Sequence, residues 1–227
     1  MNERNVAPAS APARGMPWLS ALFLLTATAC GGGGGDDPAP APAPTPAPAP
    51  GMPAIAPAVN LDANQQIGVT STHWSDGATA SGGSGATVQG IPCAAPVETF
   101  HIHSHLSIIV NGEAQAIAAN AGIVDTASLD CHYYIHTHDR SGKIHVEAPA
   151  SGTFTLGQFF AIWGQPLSAT NVAGITGMPQ TVYITENSTV TQFTGNPATI
   201  ELASHRHIAI VLGTPITQVP FFTWTAN

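Results

Sequence analysis

The chain has 227 residues, 13 of them acidic and 5 basic, and its formal net charge is −8. A surface with this excess of negative charge argues against nucleic acid, and against anionic lipid headgroups, as binding partners. The length is sufficient for one folded domain with a real core, and no second domain is expected.

Residues 1–29 have the composition of a signal peptide. Arg4 and Arg14 precede an apolar run, which is about a dozen residues long and too short to cross a bilayer. The run ends in the small residues A-T-A just before Cys30. This arrangement resembles the bacterial lipobox, in which the cysteine thiol receives a diacylglyceryl group. Ordinary secretion is the alternative, since A-T-A is also an A-x-A cleavage site.

We therefore expect an exported lipoprotein of the cell envelope. The lipid on Cys30 would anchor it to the outer membrane, on the periplasmic or the surface face, and Gly31 in place of aspartate resembles the outer-membrane pattern. Glycine, proline and alanine dominate the following residues, a composition that cannot bury a core. The sequence thus divides into a signal peptide over 1–29, a lipidated and disordered tether over 30–58, and a folded domain over 59–227.

The three cysteines fit this division. If Cys30 carries lipid, Cys93 and Cys131 remain as a pair, and in an oxidising compartment a pair is most simply a disulfide. Such a bond would contribute about 3–4 kcal/mol in the loop-entropy model. The alternative is that one of the two thiolates is a metal ligand.

The domain is predicted to be mainly β (α+β), a single domain of antiparallel hairpins with one short helix. A strand over 100–110 is followed by Asn111-Gly112, the strongest short hairpin signal, and its partner is expected over 113–119. A second hairpin is expected from 131–138 and 143–147. Later strands are predicted over 181–185, 189–193, 199–202 and 206–212.

The one helix is predicted over 156–163. Thr155 would be its N-cap, and Gln158 would complete a capping box. The apolar side chains then recur at helical spacing and form a stripe that faces the core; they are Leu156, Phe159, Phe160 and Trp163.

The domain is dense in histidine. Within each cluster the spacing is two or four residues, which places the imidazoles of one strand on one face. Neutral imidazole is a good ligand for zinc, copper, nickel and iron. Methionine is scarce and lies outside the clusters, which favours Cu(II) or Zn(II) over Cu(I). Nine of the ten histidines fall in the sets His101/His103/His105, His132/His136/His138, His145 and His205/His207.

The hairpin over 131–147 allows a prediction of register. With an even-length loop Ile135 faces Val146, and one face is apolar. On the other face His136 then lies opposite His145, and Tyr134 lies opposite Glu147. A three-residue loop would shift the register by one and move His145 to the opposite face. The segregation of apolar from polar side chains favours the even register.

These patterns predict a site for a transition metal, copper or zinc. The first candidates for ligands are His103, His105, His136, His138 and His145, followed by His101 and His132. Hydrogen-bond partners that orient the ligands are expected among Asp139, Glu147 and Tyr134. His205 and His207 could supply a last ligand or a separate site. His73 stands alone in a loop, and no catalytic residue is identified.

Three segments carry a family resemblance. FHIHSHLSIIVNG (100–112), CHYYIHTHDRSGKIHVEAP (131–149) and FTLGQFFAIWGQPL (154–167) resemble a widespread family of secreted or lipid-anchored bacterial proteins. We know of no established activity for that family. The resemblance implies an intact domain in an exported protein.

Three functions remain open at this point. The first is a lipid-anchored protein that captures or buffers copper or zinc. The second is a metal-dependent enzyme with a three-histidine site and redox, hydrolytic or hydration chemistry. The third is a metal-free interaction domain of the envelope. The common hydrolase, nucleotide and dinucleotide motifs are missing from the sequence, so metal chemistry is the only catalytic route that the residues support.

Overall fold

The structure is a computed structural model, and it describes residues 51–62, 64–76 and 83–224. Within these residues the protein is mainly β, with short connections and one α-helix, α1, over Leu156–Trp163. In chain order the strands are β1 Ala54–Ile55, β2 Val59–Asn60, β3 Val69–Thr70, β4 Cys93–Ala94, β5 Phe100–Val110, β6 Glu113–Ala116, β7 Ile123–Thr126, β8 Leu129–Tyr133, β9 Ile135–His136, β10 Lys143–Ala148, β11 Asn171–Val172, β12 Ile175–Thr176, β13 Gln180–Glu186, β14 Thr189–Phe193, β15 His207–Leu212, β16 Gln218–Val219 and β17 Phe222–Thr223.

One large sheet organises the fold. Its strands run in the order β14-β13-β15-β5-β10-β9, and β6 and β3 extend it beside the second half of β5. The central strand β5 pairs antiparallel with β10 and parallel with β15. The antiparallel hairpins expected from the sequence are thus present. The parallel pairing of β5 with β15 was not predicted. A smaller sheet, β4-β8-β7, precedes β9 in the chain.

The two faces of the large sheet differ sharply in chemistry. Side chains alternate along β5, so its even-numbered residues from Leu106 onward enter the main apolar core. Its odd-numbered residues from His101 to His105 lie on the other face. The imidazoles of β10 and β15 share that face, because His103 is directly opposite His145 and His105 is directly opposite His207. The sheet therefore separates a packed core from a face rich in histidine.

Helix α1 packs against the apolar face, and its ends are those that the sequence predicts. The hydroxyl of Thr155 accepts a hydrogen bond from the Gln158 backbone N–H at 3.2 Å, and the Gln158 side chain accepts one from the Thr155 N–H at 2.9 Å. Gly164 ends the helix with φ at +75°, a left-handed conformation that glycine adopts without strain. Phe159 and Trp163 are fully buried, which confirms the predicted stripe.

Removal of the capping hydroxyl is expected to destabilise the domain modestly. Thr155→Ala leaves the Gln158 N–H without its acceptor and should lower the free energy of unfolding by about 1 kcal/mol. Urea unfolding followed by tryptophan fluorescence measures the change. Thr155→Ser keeps the hydroxyl and serves as the matched control, and equal loss in both variants would contradict a capping role.

The hairpin turns follow the predicted chemistry. Asn111 and Gly112 both have positive φ, at +51° and +89°, as a type I′ turn requires. In the second hairpin β9 pairs with β10 so that His136 lies opposite His145 and Ile135 opposite Val146. The even register is therefore confirmed. Gly142 is needed in this turn, because its φ is +87° and an added Cβ would lie 2.2 Å from a backbone oxygen.

Two predicted strands differ from the observed ones. The expected strand over 131–138 breaks at Tyr134, where the chain leaves the small sheet as β8 and enters the large sheet as β9. The expected strand over 199–202 is also wrong: Pro197–Thr199 forms a 3-10 turn instead. Asn196 caps this turn through its side chain, which accepts from the Ala198 N–H at 3.1 Å, and Pro at the first position favours it.

The two ends of the described chain meet on the histidine face. Strand β1 pairs with β16, and β2 pairs with β17. Ordered structure thus begins before Val59, within the residues that the sequence assigned to the tether. Phe222 and Trp224 form a small buried cluster with Leu61. These chain ends cover part of the face that carries the imidazoles.

Candidate metal centre

The strand register gathers histidines from three neighbouring strands. On β5 and β10, His103 lies opposite His145, and His101 lies opposite Glu147. On the far side of β10, His136 of β9 lies opposite His145. Directly opposed residues project from the same face with Cβ atoms about 4.5–5.5 Å apart. His145 is therefore flanked by an imidazole on each side.

One group of donors consists of His101, His103 and His145, whose candidate ligand atoms all lie within 4.8 Å of one another. Nε2 of His103 is 3.0 Å from Nε2 of His101 and 3.0 Å from Nδ1 of His145. A tetrahedral zinc ion with nitrogens at about 2.0–2.1 Å holds those nitrogens about 3.3 Å apart. The spacing therefore fits ligands of a common ion.

A second group consists of His136, His138, His145 and Glu147, again with all candidate ligand atoms within 4.8 Å. Nε2 of His136 is 3.2 Å from Nε2 of His138. His145 belongs to both groups. The two groups are thus parts of one cluster of six side chains, which we call the histidine cluster: His101, His103, His136, His138, His145 and Glu147.

Hydrogen bonding between the rings does not fully explain the contacts at His103. A nitrogen of a neutral imidazole carries either one hydrogen or one in-plane lone pair, so it makes one good hydrogen bond. Nε2 of His103 faces two other ring nitrogens, those of His101 and His145, at the same 3.0 Å distance. A cation shared by the three lone pairs satisfies all of them.

Backbone contacts orient the deepest ligand candidate. Nδ1 of His136 is 2.9 Å from the carbonyl oxygen of Tyr133, and a carbonyl can only accept. Nδ1 therefore carries the hydrogen, and the lone pair is on Nε2, which faces His138. A metal-binding histidine is usually fixed in this way by a hydrogen bond from its other ring nitrogen.

Glu147 lies at the centre of the cluster. Its Oε1 is 3.2 Å from Nδ1 of His145, 3.3 Å from Nε2 of His101 and 3.7 Å from Nε2 of His136. The sequence suggested that this carboxylate orients an imidazole. The geometry also makes it a candidate ligand in its own right.

Burial keeps the inner imidazoles neutral. His103 is 7% exposed, His136 is fully buried and His145 is 4% exposed. Loss of hydration, together with the neighbouring histidines, lowers the pKa of each of these three rings to about 3. Desolvation also lowers the pKa of the exposed His138. Their lone pairs are consequently free of protons at neutral pH, as metal binding requires.

Acidification is expected to destabilise the metal-free domain. Folded His103, His136 and His145 have pKa values of about 3, compared with 6.5 for an unhindered histidine. Between these values the unfolded chain binds more protons than the folded one, so the free energy of unfolding falls as the pH falls. Above 6.5 these rings are neutral in both states and contribute no pH dependence.

Thermal unfolding at a series of pH values tests this. With a chelator present, the melting temperature should be flat near neutrality and should fall between about pH 6.5 and pH 5, where carboxyl groups with ordinary pKa values of about 4 contribute little. A constant melting temperature through that window would contradict the buried, neutral state of the imidazoles.

Other predicted ligands lie outside the two groups. Nε2 of His105 is 2.8 Å from the Ser141 carbonyl, and its ring stacks on Phe222 with centroids 4.0 Å apart. The His105 ring is 1% exposed, and burial lowers its pKa to about 3. Its role in the described structure is to join the turn after β9 to the C-terminal residues.

His132 lies beside the cluster and not within either group. Its ring centroid is 5.2 Å from that of His136 and 6.2 Å from that of His138. Its buried Nδ1 has no hydrogen-bond partner among the described residues, and an unpaired buried nitrogen of this kind is costly. The break at Tyr134 explains the offset, because it turns β8 out of the large sheet.

The His205 and His207 rings pack on aromatic side chains. The His205 ring stacks on Trp224 with centroids 4.9 Å apart and planes 7° apart. The His207 ring lies 4.7 Å from that of Phe221 and 6.0 Å from that of His105. Neither belongs to a group of three donors among the described residues.

The predicted orienting residues have separate tasks. Asp139 accepts hydrogen bonds from the backbone N–H groups of Ser141, at 2.9 Å, and Gln65, at 3.3 Å, so it shapes the turn. The Tyr134 side chain packs against the main apolar core, and its carbonyl accepts from the Glu147 N–H at 2.8 Å. His73 is exposed and belongs to neither group of donors among the described residues.

The aromatic cover of Phe222 and Trp224 was missed by sequence reasoning. Trp224 lies 5.4 Å from His207 and 6.4 Å from His103 between ring centroids. The available signal was the apolar run VPFFTW over 219–224, with three aromatic residues. Enrichment in aromatic residues is typical of a strand.

Cys93 and Cys131 form a disulfide, with Cα atoms 5.4 Å apart. The alternative of a thiolate ligand therefore does not apply to this pair. The bond links β4 to β8 and closes the small sheet next to His132. The cluster accordingly offers only nitrogen and carboxylate donors.

The expected signal peptide and the lipidated Cys30 lie outside the described residues. Within the described ranges, no helix is both long and apolar enough to span a membrane. Comparisons of the chain with protein-family models, with curated proteins and with solved structures find no significant match. The interpretation of the site therefore depends on its own geometry: buried histidines and one glutamate that could hold a metal ion.

Proposed function

We propose that the protein is a lipid-anchored protein of the bacterial cell envelope that captures or buffers a transition metal, copper or zinc, with the histidine cluster. The observation that carries the proposal is the convergence of five imidazoles and one carboxylate around His145. Three of these imidazoles are nearly or fully buried. Nε2 of His103 faces two ring nitrogens but can make only one good hydrogen bond, so a shared ion would satisfy contacts that hydrogen bonding cannot.

The donor types support copper or zinc as the ion. Imidazole suits zinc and Cu(II), whereas Cu(I) favours thiolates and thioethers. The cluster contains neither of these sulfur ligands. Ring nitrogens held 3.0–3.2 Å apart by rigid strands also suit a small ion better than calcium, which prefers six to eight oxygens.

The envelope location is supported by the chain outside the cluster. The lipobox-like sequence before Cys30 and the Pro/Ala-rich tether are typical of an exported lipoprotein. The disulfide fits an oxidising compartment. The resemblance of three segments to secreted or lipid-anchored bacterial proteins agrees with this assignment.

Metal analysis of the purified protein tests the metal part of the proposal. The full chain, without a polyhistidine tag, is incubated with Cu(II) or Zn(II), desalted and analysed for bound metal. We expect at least one equivalent that resists desalting, and a lower metal content when His136 and His138 are both replaced by alanine. Metal content well below one equivalent for both ions would leave a metal-free interaction domain as the remaining function.

Membrane partition tests the lipid anchor. The full chain expressed in a bacterial host is expected in the membrane fraction, and the Cys30→Ser variant in the soluble fraction. Mass spectrometry of the N-terminal peptide should show the diacylglyceryl modification. Equal solubility of the two proteins would support ordinary secretion instead.

A metal-dependent enzyme is the second candidate, and the group of His101, His103 and His145 is the observation that favours it. Catalytic zinc sites use three protein ligands and leave a fourth position for water, whose pKa the metal lowers. His101 is only half-buried, so that position can reach solvent. One tightly bound ion with an exchangeable water would support the enzyme, and weaker, readily exchanged ions would support buffering.

A further inference from the structure

The histidine cluster has more donors than one ion uses. A structural zinc site takes four ligands, whereas six side chains converge here. The two groups of donors overlap only at His145. The cluster therefore has donors left over after one ion is bound.

The donors fall into two halves with different structural origins. One half comes from the paired strands β5 and β10 and contains His101, His103 and His145, with nitrogen contacts of 3.0 Å. The other half comes from β9 and the turn after it and contains His136 and His138, whose Nε2 atoms are 3.2 Å apart. Each half has its own close pair of ring nitrogens. Each half also reaches solvent at one ring, which is the half-buried His101 in the first half and the exposed His138 in the second.

Glu147 lies between the halves. Its Oε1 is 3.3 Å from Nε2 of His101 in the first half and 3.7 Å from Nε2 of His136 in the second. The same oxygen makes both contacts, and a carboxylate can bridge two ions through one oxygen or through both. In two-metal sites the ions lie about 3.5–4 Å apart, a separation that a bridging carboxylate spans.

We propose that the histidine cluster binds two transition-metal ions side by side, bridged by the Glu147 carboxylate. The first ion is held by His101, His103 and His145, and the second by His136 and His138. This inference rests on the proposed metal-binding function. His132 stands next to the second half, with its ring centroid 5.2 Å from that of His136, and its buried Nδ1 has no hydrogen-bond partner among the described residues.

Charge makes the two ions unequal in affinity. The bridging carboxylate supplies only one negative charge, and the ammonium group of Lys143 on β10 adds a positive charge that acts on His103, His138 and His145. The second ion therefore meets repulsion from the first. Binding is expected in two steps, with the second step the weaker.

Copper titration of the full chain with two readouts tests the proposal. Equilibrium dialysis should show two equivalents of Cu(II), and the electron paramagnetic resonance signal should integrate to clearly fewer than two spins because the paired ions couple. His101→Gln and His138→Gln change solvent-accessible rings and should each reduce binding to one uncoupled equivalent. Glu147→Gln should remove the coupling. His73→Gln, at an exposed histidine outside both groups of donors, is the matched control and should behave as the parent protein.

The outcomes separate this inference from the proposed function. Saturation at one equivalent overturns the two-ion site and leaves the metal-binding function intact. Two equivalents with a full two-spin signal also overturn it, because the ions are then apart. Absence of any bound metal contradicts both. Circular dichroism of each variant shows whether it is folded. The number of bound equivalents and the integrated spin of the parent protein test the two-ion site without any variant.

Discussion

Replacement of His145 by alanine is expected to cause the largest loss of metal affinity among single substitutions in the histidine cluster. His145 is the one side chain common to both groups of donors, and its Nδ1 lies within 3.2 Å of both His103 and Glu147. Loss of an outer hydrogen-bond partner of a ligand weakens metal binding roughly 10–100-fold, and loss of a shared ligand should exceed this. Competition with a chromophoric chelator measures the change in Kd.

The matched control for this variant is His105→Ala. His105 and His145 are both buried, at 1% and 4% exposure, and both lie on the same face of the sheet. Alanine leaves a similar cavity at either position, so the two variants should lose similar stability. Only the His145 variant should lose metal. Equal loss of metal in both would show that disruption of the sheet, and not removal of a ligand, is the cause.

Loss of the disulfide is expected to have the largest effect on stability. The Cys93–Cys131 bond spans a sequence separation of 38 residues, for which the loop-entropy model gives about 4 kcal/mol. Ser replacements at both positions should therefore lower the free energy of unfolding by a large fraction of the ~5–15 kcal/mol typical of a domain. Chemical denaturation with and without a reductant measures the loss.

Cys30 provides the control for the disulfide prediction. Cys30→Ser should leave the unfolding midpoint of the domain unchanged, because the two remaining cysteines already form their bond. The double Ser variant should also bind metal less tightly, since β8, which carries Cys131, is joined through Tyr134 to β9, which carries His136. An unchanged midpoint in the double variant would contradict a stabilising role for the bond.

The sequence predicted those features that depend on local rules. The capping box at Thr155 and the turn at Asn111-Gly112 follow from short-range chemistry, and both were observed. The opposition of His136 and His145 was predicted because a slip of one residue would have moved His145 to the opposite, apolar face. Alternation along strands therefore sufficed to predict that the histidines share a face.

Long-range features could not be predicted in this way. The break at Tyr134 moves His132 to another sheet, and no local pattern marks it. The central place of Glu147 depends on the pairing of β5 with β10, which brings His101 opposite it. His105 is bonded to the turn at Ser141 and covered by Phe222, and sequence spacing cannot distinguish such a ring from a ligand.

The parallel pairing of β5 with β15 also affects the order in which the chain can fold. His105 and His207 are paired neighbours although about a hundred residues separate them, and contacts of such high sequence separation slow folding. The contacts between β5 and β10 join residues much closer in the chain, such as His103 and His145. A chain that folds from its N-terminal side can therefore assemble its metal donors while the other edge of β5 is still unpaired and prone to aggregation. Metal present at that stage would stabilise the growing sheet before its last strand arrives, and refolding yields with and without zinc would reveal this.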